Sequence, residues 1–219
     1  MKHSFLSSRR SKYSGFTLVE LLVVIGIIAI LASVLLSAGN SAIRSAQRAK
    51  ASNLASQLQA ACLSYFTEYS VYPVPPNTTG DYVIKDTDAA SWKNLVIALS
   101  GNIDPANPGT PVANPVIANT RAISFITLQS SDLVTGTDAP KNPLPPNAAQ
   151  LYFNIAMDND YDGVLGGNGA STAALPNFNT STLGNVVLTG GSSTAGVAVW
   201  ANCNGNATGQ NPAYWVHTY

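Results

Sequence analysis

The chain has 219 residues with 11 basic and 11 acidic side chains, so its formal net charge is zero. The charges are unevenly placed: residues 1–15 carry four bases and no acid, which leaves a net charge of −4 on the remainder. A mildly acidic body with dispersed bases argues against the basic surface that nucleic-acid binding requires. We therefore expect no nucleic-acid partner.

Two cysteines, Cys62 and Cys203, and two histidines, His3 and His217, restrict the chemistry available to the chain. Two cysteines allow one disulfide at most, and the sequence is compatible both with a Cys62–Cys203 disulfide and with two separate thiols. The chain has no His pair, nucleophile elbow, Walker loop or Cys-x-x-Cys motif. We expect no enzymatic activity; a membrane-anchored extracytoplasmic enzyme is the alternative from another class of function.

The first predicted element is an apolar helix over residues 16–38, directly after a basic leader at residues 1–15. Its 23 residues would extend over roughly 35 Å, which is enough to cross a bilayer core. A secretory signal peptide would end near Ser37-Ala38-Gly39, but its apolar region typically has only about 7–15 residues. A plain signal anchor fits the length. Neither interpretation explains Glu20, the only charge in the segment.

Glu20 lies five residues into the apolar segment, where a carboxylate is costly unless it finds a cation or a polar partner. The next base along the chain is Arg44, about six helical turns away. Cleavage after Gly15 would create a cation nearby, because Phe16 would then carry a free α-amino group. In a helical assembly this amine could neutralise Glu20 of a neighbouring subunit. The sequence therefore predicts processing at Gly15 and polymerisation through Phe16 and Glu20.

Residues 15–25 read Gly-Phe-Thr-Leu-Val-Glu-Leu-Leu-Val-Val-Ile and resemble the class III signal of type IV prepilins and type II secretion pseudopilins. The resemblance implies that a membrane aspartyl peptidase cuts after Gly15 and methylates the new N-terminus at Phe16, and that Glu20 guides docking into a filament. It also implies a cytoplasmic leader, a single-pass helix in the inner membrane and a periplasmic head. The implied partners are the prepilin peptidase/N-methyltransferase, an inner-membrane assembly platform, membrane lipid, and identical or related subunits.

The helix is predicted to continue beyond the membrane over residues 39–72. Apolar residues recur there at steps of three and four, from Leu54 to Tyr69, and form one face. Pro73 ends the element. Residues 73–219 form the predicted head, in which a loop-rich connector contains one short helix at Ser91–Ser100. Strands are predicted at residues 122–128, 150–157, 186–189, 196–201 and 214–219.

An antiparallel sheet lying on the apolar helix face would bury both, which gives an α+β fold with a long N-terminal helix packed against a small antiparallel β-sheet head. This layout resembles the major pseudopilins of type II secretion systems. The Asp-Pro-Trp-Gly run expected of them is absent, and Asp138-Ala139-Pro140-Lys141 stands near its place. The resemblance implies a structural subunit that acts in protein export; an adhesive or motility type IV pilin is the alternative.

An acid-rich turn follows the strand predicted at residues 150–157 and reads Asp158-Asn159-Asp160-Tyr161-Asp162-Gly163. Oxygen-rich loops suit Ca²⁺, which takes six to eight oxygen ligands. An EF-hand would need Glu where Gly169 stands, so the turn is not an EF-hand. The alternatives are a Ca²⁺ site at Asp158, Asp160 and Asp162 and a solvated polar turn. Major pseudopilins bind calcium nearer the C-terminus, where residues 202–206 here carry amides instead of acids.

Overall fold

The structure, a computed structural model, describes residues 15–105, 107, 109–145, 151–161, 163, 165, 196–203 and 215–218. The chain falls into two compact units, Met1–Ile43 and Arg44–Tyr219. Its elements in chain order are helix α1 (Leu18–Tyr69), strand β1 (Tyr82–Ile84), helix α2 (Ala89–Leu99), a 3₁₀ turn (Ser130–Asp132) and strands β2 (Asn154–Met157), β3 (Val197–Asn202) and β4 (Trp215–His217). The predicted α+β fold is confirmed.

In the first unit, α1 exposes apolar side chains on every side. The large ones between Phe16 and Leu35 range from 46% exposed at Val24 to 79% at Leu18. The helix is continuous through Gly39 and Asn40. A helix that is apolar all round needs an apolar environment, such as lipid or other helices.

In the second unit, α1 buries one face, as its spacing predicts. The buried residues recur at steps of three and four and are Ala51, Leu54, Ala55, Leu58, Ala61, Cys62 and Tyr65. The helix ends at Tyr69, where Ser70 takes a left-handed conformation with φ 57° and its N–H donates to the Phe66 carbonyl at 2.7 Å.

Strands β1 to β4 form one antiparallel sheet in which the spatial order equals the chain order. Alternate residues of β3 point to opposite faces of the sheet. Both faces pack against other buried residues. Val197, Val199 and Ala201 join the main core with α1 and α2. Ala198 and Trp200 join a smaller cluster on the other face, together with Ala156 and Leu165.

Three of the predicted strands correspond to observed ones, since β2, β3 and β4 lie within or overlap residues 150–157, 196–201 and 214–219. The segment predicted at residues 186–189 lies outside the described residues. The strand predicted at residues 122–128 is wrong, because the segment bends against the end of α2. There the N–H groups of Phe125 and Ile126 both donate to the Leu99 carbonyl, and Ala122 has φ 50°.

Helix α2 spans Ala89–Leu99, two residues earlier than the predicted Ser91 start, because Asp88 caps it. The Asp88 carboxylate accepts a hydrogen bond from the Ser91 N–H at 3.1 Å. The α2 residue Trp92 is fully buried, and its Nε1 donates to the Phe153 carbonyl at 2.7 Å. This bond ties α2 to the residue that precedes β2.

Candidate functional site

Reciprocal hydrogen bonds between Thr17 and Glu20 fix the start of α1. The Thr17 hydroxyl accepts from the Glu20 N–H at 3.2 Å, while Glu20 Oε2 accepts from the Thr17 N–H at 2.9 Å and from the Thr17 hydroxyl at 2.6 Å. This is a capping box, in which Thr17 and Glu20 satisfy donors that a helix start otherwise leaves without partners. The sequence contains the signature of this cap, Thr-x-x-Glu before an apolar run, so Glu20 has a local role in addition to the predicted role in assembly.

The predicted cleavage site lies just outside this cap. Gly15 and Phe16 precede the helix and are exposed, with Phe16 78% exposed. A Cβ added at Gly15 would meet no atom within 4 Å. Both residues of the predicted cleavage site are therefore exposed in the part of the chain that the structure describes. Cleavage there would place the new α-amino group one residue before Thr17 and four before Glu20.

Helix α1 is long and apolar enough to cross a membrane, with a mean hydropathy of 2.9 in its most apolar 18-residue window. That window is 0% buried within the protein. Glu20 is thus the one carboxylate on an otherwise apolar and exposed helical surface. Its position in the first turn keeps it near the end of the apolar segment, where a charge is tolerated better than at the centre.

Comparison with known proteins agrees with this geometry. The prokaryotic N-terminal methylation motif matches residues 10–36. The fimbrial protein EcpC of Eikenella corrodens is 33% identical over 113 residues, which cover 50% of this chain and 72% of the relative. The chain belongs to the type IV pilin-like prepilin family. No solved structure matches the prepilin.

Membership of this family fixes the general role of the prepilin. It is a type IV pilin-like subunit of a pilus filament, anchored to a membrane by its apolar N-terminal helix. The methylation motif implies processing by a prepilin peptidase and assembly with pilin subunits. Pilins of this family are structural subunits, not enzymes.

A second cluster of functional groups lies at one end of the sheet, in the head of the prepilin. Asp81, Asp158 and Asp160 each direct one carboxylate oxygen into a group whose atoms lie within 4.8 Å of one another. Asp162, the third predicted ligand, lies outside the described residues. The turn after β2 therefore gains a carboxylate from the loop before β1, a residue that the sequence motif does not include.

The pairing of β1 with β2 explains why Asp81 joins the cluster. Tyr82 lies opposite Met157 in the antiparallel register, so the residue before β1 is adjacent to the residue after β2. These residues are Asp81 and Asp158. The short β-prone run Tyr82-Val83-Ile84 lies within the predicted loop-rich connector and is the sequence signal for this strand.

Asp158 is the buried member of the cluster, with 7% of its surface exposed. Its Oδ2 accepts from the Gly163 N–H at 3.1 Å, whereas its Oδ1 is buried and accepts no hydrogen bond from the described residues. Burial raises the pKa of the Asp158 carboxyl, and the nearby Asp160 acts in the same direction. Asp160 itself is exposed.

The amide of Asn159 fastens the two loops of this cluster to each other. Its Nδ2 donates to the backbone carbonyls of Thr78 and Gly80, both at 3.2 Å. The Asp158 N–H donates to the Gly196 carbonyl at 2.9 Å, which adds the start of β3 to the same junction. The carboxylates are thus held on a hydrogen-bonded frame.

The two cysteines are free and fully buried, so the structure contains separate thiols instead of a Cys62–Cys203 disulfide. The Cys203 thiol donates to Asn142 Oδ1 at 3.3 Å. Burial raises the pKa of Cys203 to about 12 and raises that of Cys62 far above its ordinary range. Neither thiol is set up as a nucleophile, which would need a lowered pKa.

Proposed function

We propose that the prepilin is cut between Gly15 and Phe16, that Phe16 is N-methylated, and that the mature subunit polymerises through its apolar helix. The observation that carries the proposal is the position of Glu20, exposed in the first turn of an exposed apolar helix. Its only hydrogen-bond partner among the described residues is Thr17. The carboxylate therefore remains available to the α-amine of a neighbouring subunit.

The capping box also supports a sequence of events. Before cleavage, the Thr17 N–H and hydroxyl both donate to Glu20, which lowers the cost of placing the carboxylate near lipid. After cleavage, the Phe16 amine on a neighbouring subunit offers a charged partner instead of a neutral one. The Thr17 bonds are already charge-assisted, because their acceptor is a carboxylate. The amine adds the attraction between two opposite full charges, which removal of water from the helix surface strengthens.

Within this family, we propose that the subunit is a type II secretion pseudopilin acting in protein export, with its leader in the cytoplasm and its head in the periplasm. The small head and its acid-rich turn support this choice. So do the free thiols, because subunits of long surface pili are often closed by a disulfide. An inner-membrane assembly platform and membrane lipid are then its partners.

A surface pilin is the second candidate, and the relative supports it. EcpC is named a fimbrial protein, and the 113 matched residues extend well beyond the 27-residue methylation motif. A surface pilin would use the same processing and the same Glu20 contact. The two candidates differ in what the filament does and in where it ends.

Deleting the gene in the native host distinguishes the candidates. A pseudopilin gene is required for release of exported proteins, which then accumulate in the periplasm, while surface filaments remain. A surface pilin gene is required for filaments and for adhesion or motility, while export remains normal. Complementation with the parent chain should restore the lost function. Complementation with Glu20→Val tests whether that function requires filament assembly. Normal filaments and normal export in the Glu20→Val strain would contradict both candidates.

A further inference from the structure

We propose that Asp81, Asp158 and Asp160 together bind one divalent cation, and that this cation is Ca²⁺. Their three oxygen atoms lie within 4.8 Å of one another. Calcium binds oxygen at about 2.3–2.6 Å, so two oxygens on one ion lie at most about 5 Å apart. The three candidate ligands are all carboxylate oxygens, the ligand type that suits a hard cation, and Ca²⁺ accepts irregular oxygen sets more readily than Mg²⁺ does. The spacing is therefore compatible with one bound Ca²⁺.

A buried, unsatisfied oxygen points independently to a ligand. Asp158 is more than nine-tenths buried, and its Oδ1 accepts no hydrogen bond from the described residues. A buried carboxylate oxygen without a partner is expensive, and buried charges in proteins are paired or coordinate metals. Neither Asp158 nor Asp160 forms an ion pair with a Lys or Arg in the described part of the chain. A cation would provide the missing partner.

The frame around the carboxylates suits an ion more than a simple polar turn. Hydrogen bonds from Asn159 to the Thr78 and Gly80 carbonyls fix the two loops, and these bonds use neither Asp81 nor Asp158. The three carboxylates remain next to one another, where they repel in the absence of a cation. A hard, oxygen-seeking cation relieves both the repulsion and the unsatisfied atom.

The site differs from one formed by the acid-rich turn alone. Asp81 comes from the loop before β1 and Asp158 from the loop after β2, so the ion would join the two strands at one end of the sheet. Tyr161 of the same turn stacks on Tyr72 with ring centroids 5.9 Å apart, and Tyr72 stacks on Phe66 of α1 at 4.6 Å. Ordering of the turn would thus extend to the end of α1.

Terbium luminescence on the full-length chain in detergent tests the site. Tb³⁺ occupies calcium sites and is excited by a nearby tyrosine, a role that Tyr161 can take. We expect saturable luminescence that Ca²⁺ displaces. Asp158→Asn should abolish it, and Asp81→Asn should weaken affinity at least about tenfold, because calcium affinity follows the number of charged ligands. Asp132→Asn, which removes an acid paired with Lys50, is the matched control and should bind like the parent.

Two results would overturn the proposal. One is a parent chain that gives no saturable, Ca²⁺-displaceable signal. The other is an Asp81→Asn chain that binds like the parent while Asp162→Asn loses the ion, which would place the site in the turn alone. Thermal melting in chelator controls for folding: the Asn variants should melt at or above the parent, because each removes a repelling charge. Filament assembly does not enter the measurement, so its outcome is independent of the proposed function.

Discussion

Gly196 lies directly against the phenol ring of Tyr72. A Cβ built on Gly196 would overlap the Tyr72 hydroxyl oxygen and approach Cζ to 2.9 Å. Tyr72 follows the end of α1, and Gly196 precedes β3 and accepts a hydrogen bond from the Asp158 N–H. The end of the long helix, the turn after β2 and the start of β3 therefore meet where only a glycine fits.

Gly196→Ala should destabilise the head, because the added methyl group requires the Tyr72 ring to move. Overpacking of this kind costs about 1–3 kcal/mol. Tyr72→Phe in the same chain should recover part of the loss, since it removes the closest atom but leaves the ring. A double-mutant cycle by denaturant unfolding measures the coupling. Gly39→Ala is the control, because its Cβ meets no atom within 4 Å; equal effects of the two Gly→Ala changes would contradict the prediction.

Glu20→Val should leave membrane insertion intact and strongly reduce filament assembly, because the Phe16 amine of the neighbouring subunit then has no carboxylate partner. Thr17→Val removes the hydroxyl that caps α1 and contacts Glu20, whereas Thr17→Ser keeps it. We expect assembly in the order parent, Thr17→Ser, Thr17→Val, Glu20→Val, measured as sheared filament per cell. Equal assembly of Thr17→Val and Thr17→Ser would show that the capping box has no role.

The mature chain should begin at Phe16 and carry one N-methyl group. Intact-mass measurement of protein from the native host determines both. Gly15→Leu should block cleavage without affecting the fold, because no atom lies within 4 Å of a Cβ at that position. Uncut Gly15→Leu protein with a normal melting curve would show that the change removes recognition by the peptidase and leaves the fold intact. A mature start near Gly39 or Asn40 is the result expected of an ordinary signal peptide, and it would contradict processing at Gly15.

The two buried thiols predict a loss of stability at alkaline pH. In the folded chain, burial raises the pKa of Cys203 from 9.0 to about 12 and raises that of Cys62 as well. A raised pKa means that stability is complete below the unfolded value and falls as pH rises above it. Between pH 7 and 10 each thiol should cost about 1.4–2 kcal/mol. Urea unfolding at both pH values, with Cys203→Ala for comparison, measures the effect.

A disulfide would give the opposite pattern in the same experiment. Paired cysteines do not ionise, so the alkaline loss attributable to the thiols would disappear. Reductant would then destabilise the head by about 2–4 kcal/mol. Labelling with a thiol reagent in denaturant, with and without prior reduction, counts the free thiols directly. Two labelled thiols without reductant agree with the structure.

The sequence predicted what depends on long periodic patterns. The 23-residue apolar segment and the burial spacing from Leu54 to Tyr65 specified α1 almost to the residue, because a helix repeats its pattern over many turns. Short elements are harder to predict from the sequence. β1 has three residues, too few for alternation to be recognised, and its partner β2 lies about 70 residues away in the chain.

Residues 122–128 show the opposite error, a predicted strand that the structure does not form. Their alternating pattern is real, and Ile126 is buried, but the burial is against the core and not through a strand ladder. The buried Asn119 holds the segment in a turn: its Oδ1 accepts from the Ile123 N–H at 3.1 Å, and its Nδ2 donates to the Ala98 and Ile123 carbonyls. An asparagine in this role cannot be distinguished in sequence from one in a solvated loop.

The two candidate sites differ in the same way. Gly15, Phe16 and Glu20 are close in sequence, so their relation could be predicted from spacing. Asp81 could not, because its place beside Asp158 depends on the β1–β2 register. A site built from one segment can be predicted from a motif, whereas a site built from two needs the fold.

The strand order of the sheet has a mechanical consequence. Among the strands that the structure describes, β4 pairs with β3 alone, through three residue pairs, and each strand lies beside the next described strand in the chain. A pull on the C-terminal end would therefore peel β4 first and then β3, breaking short rows of hydrogen bonds in turn. With both cysteines free, no covalent bond resists this opening. In a filament under tension, the head would unfold stepwise, beginning with β4, while helix α1 carried the load.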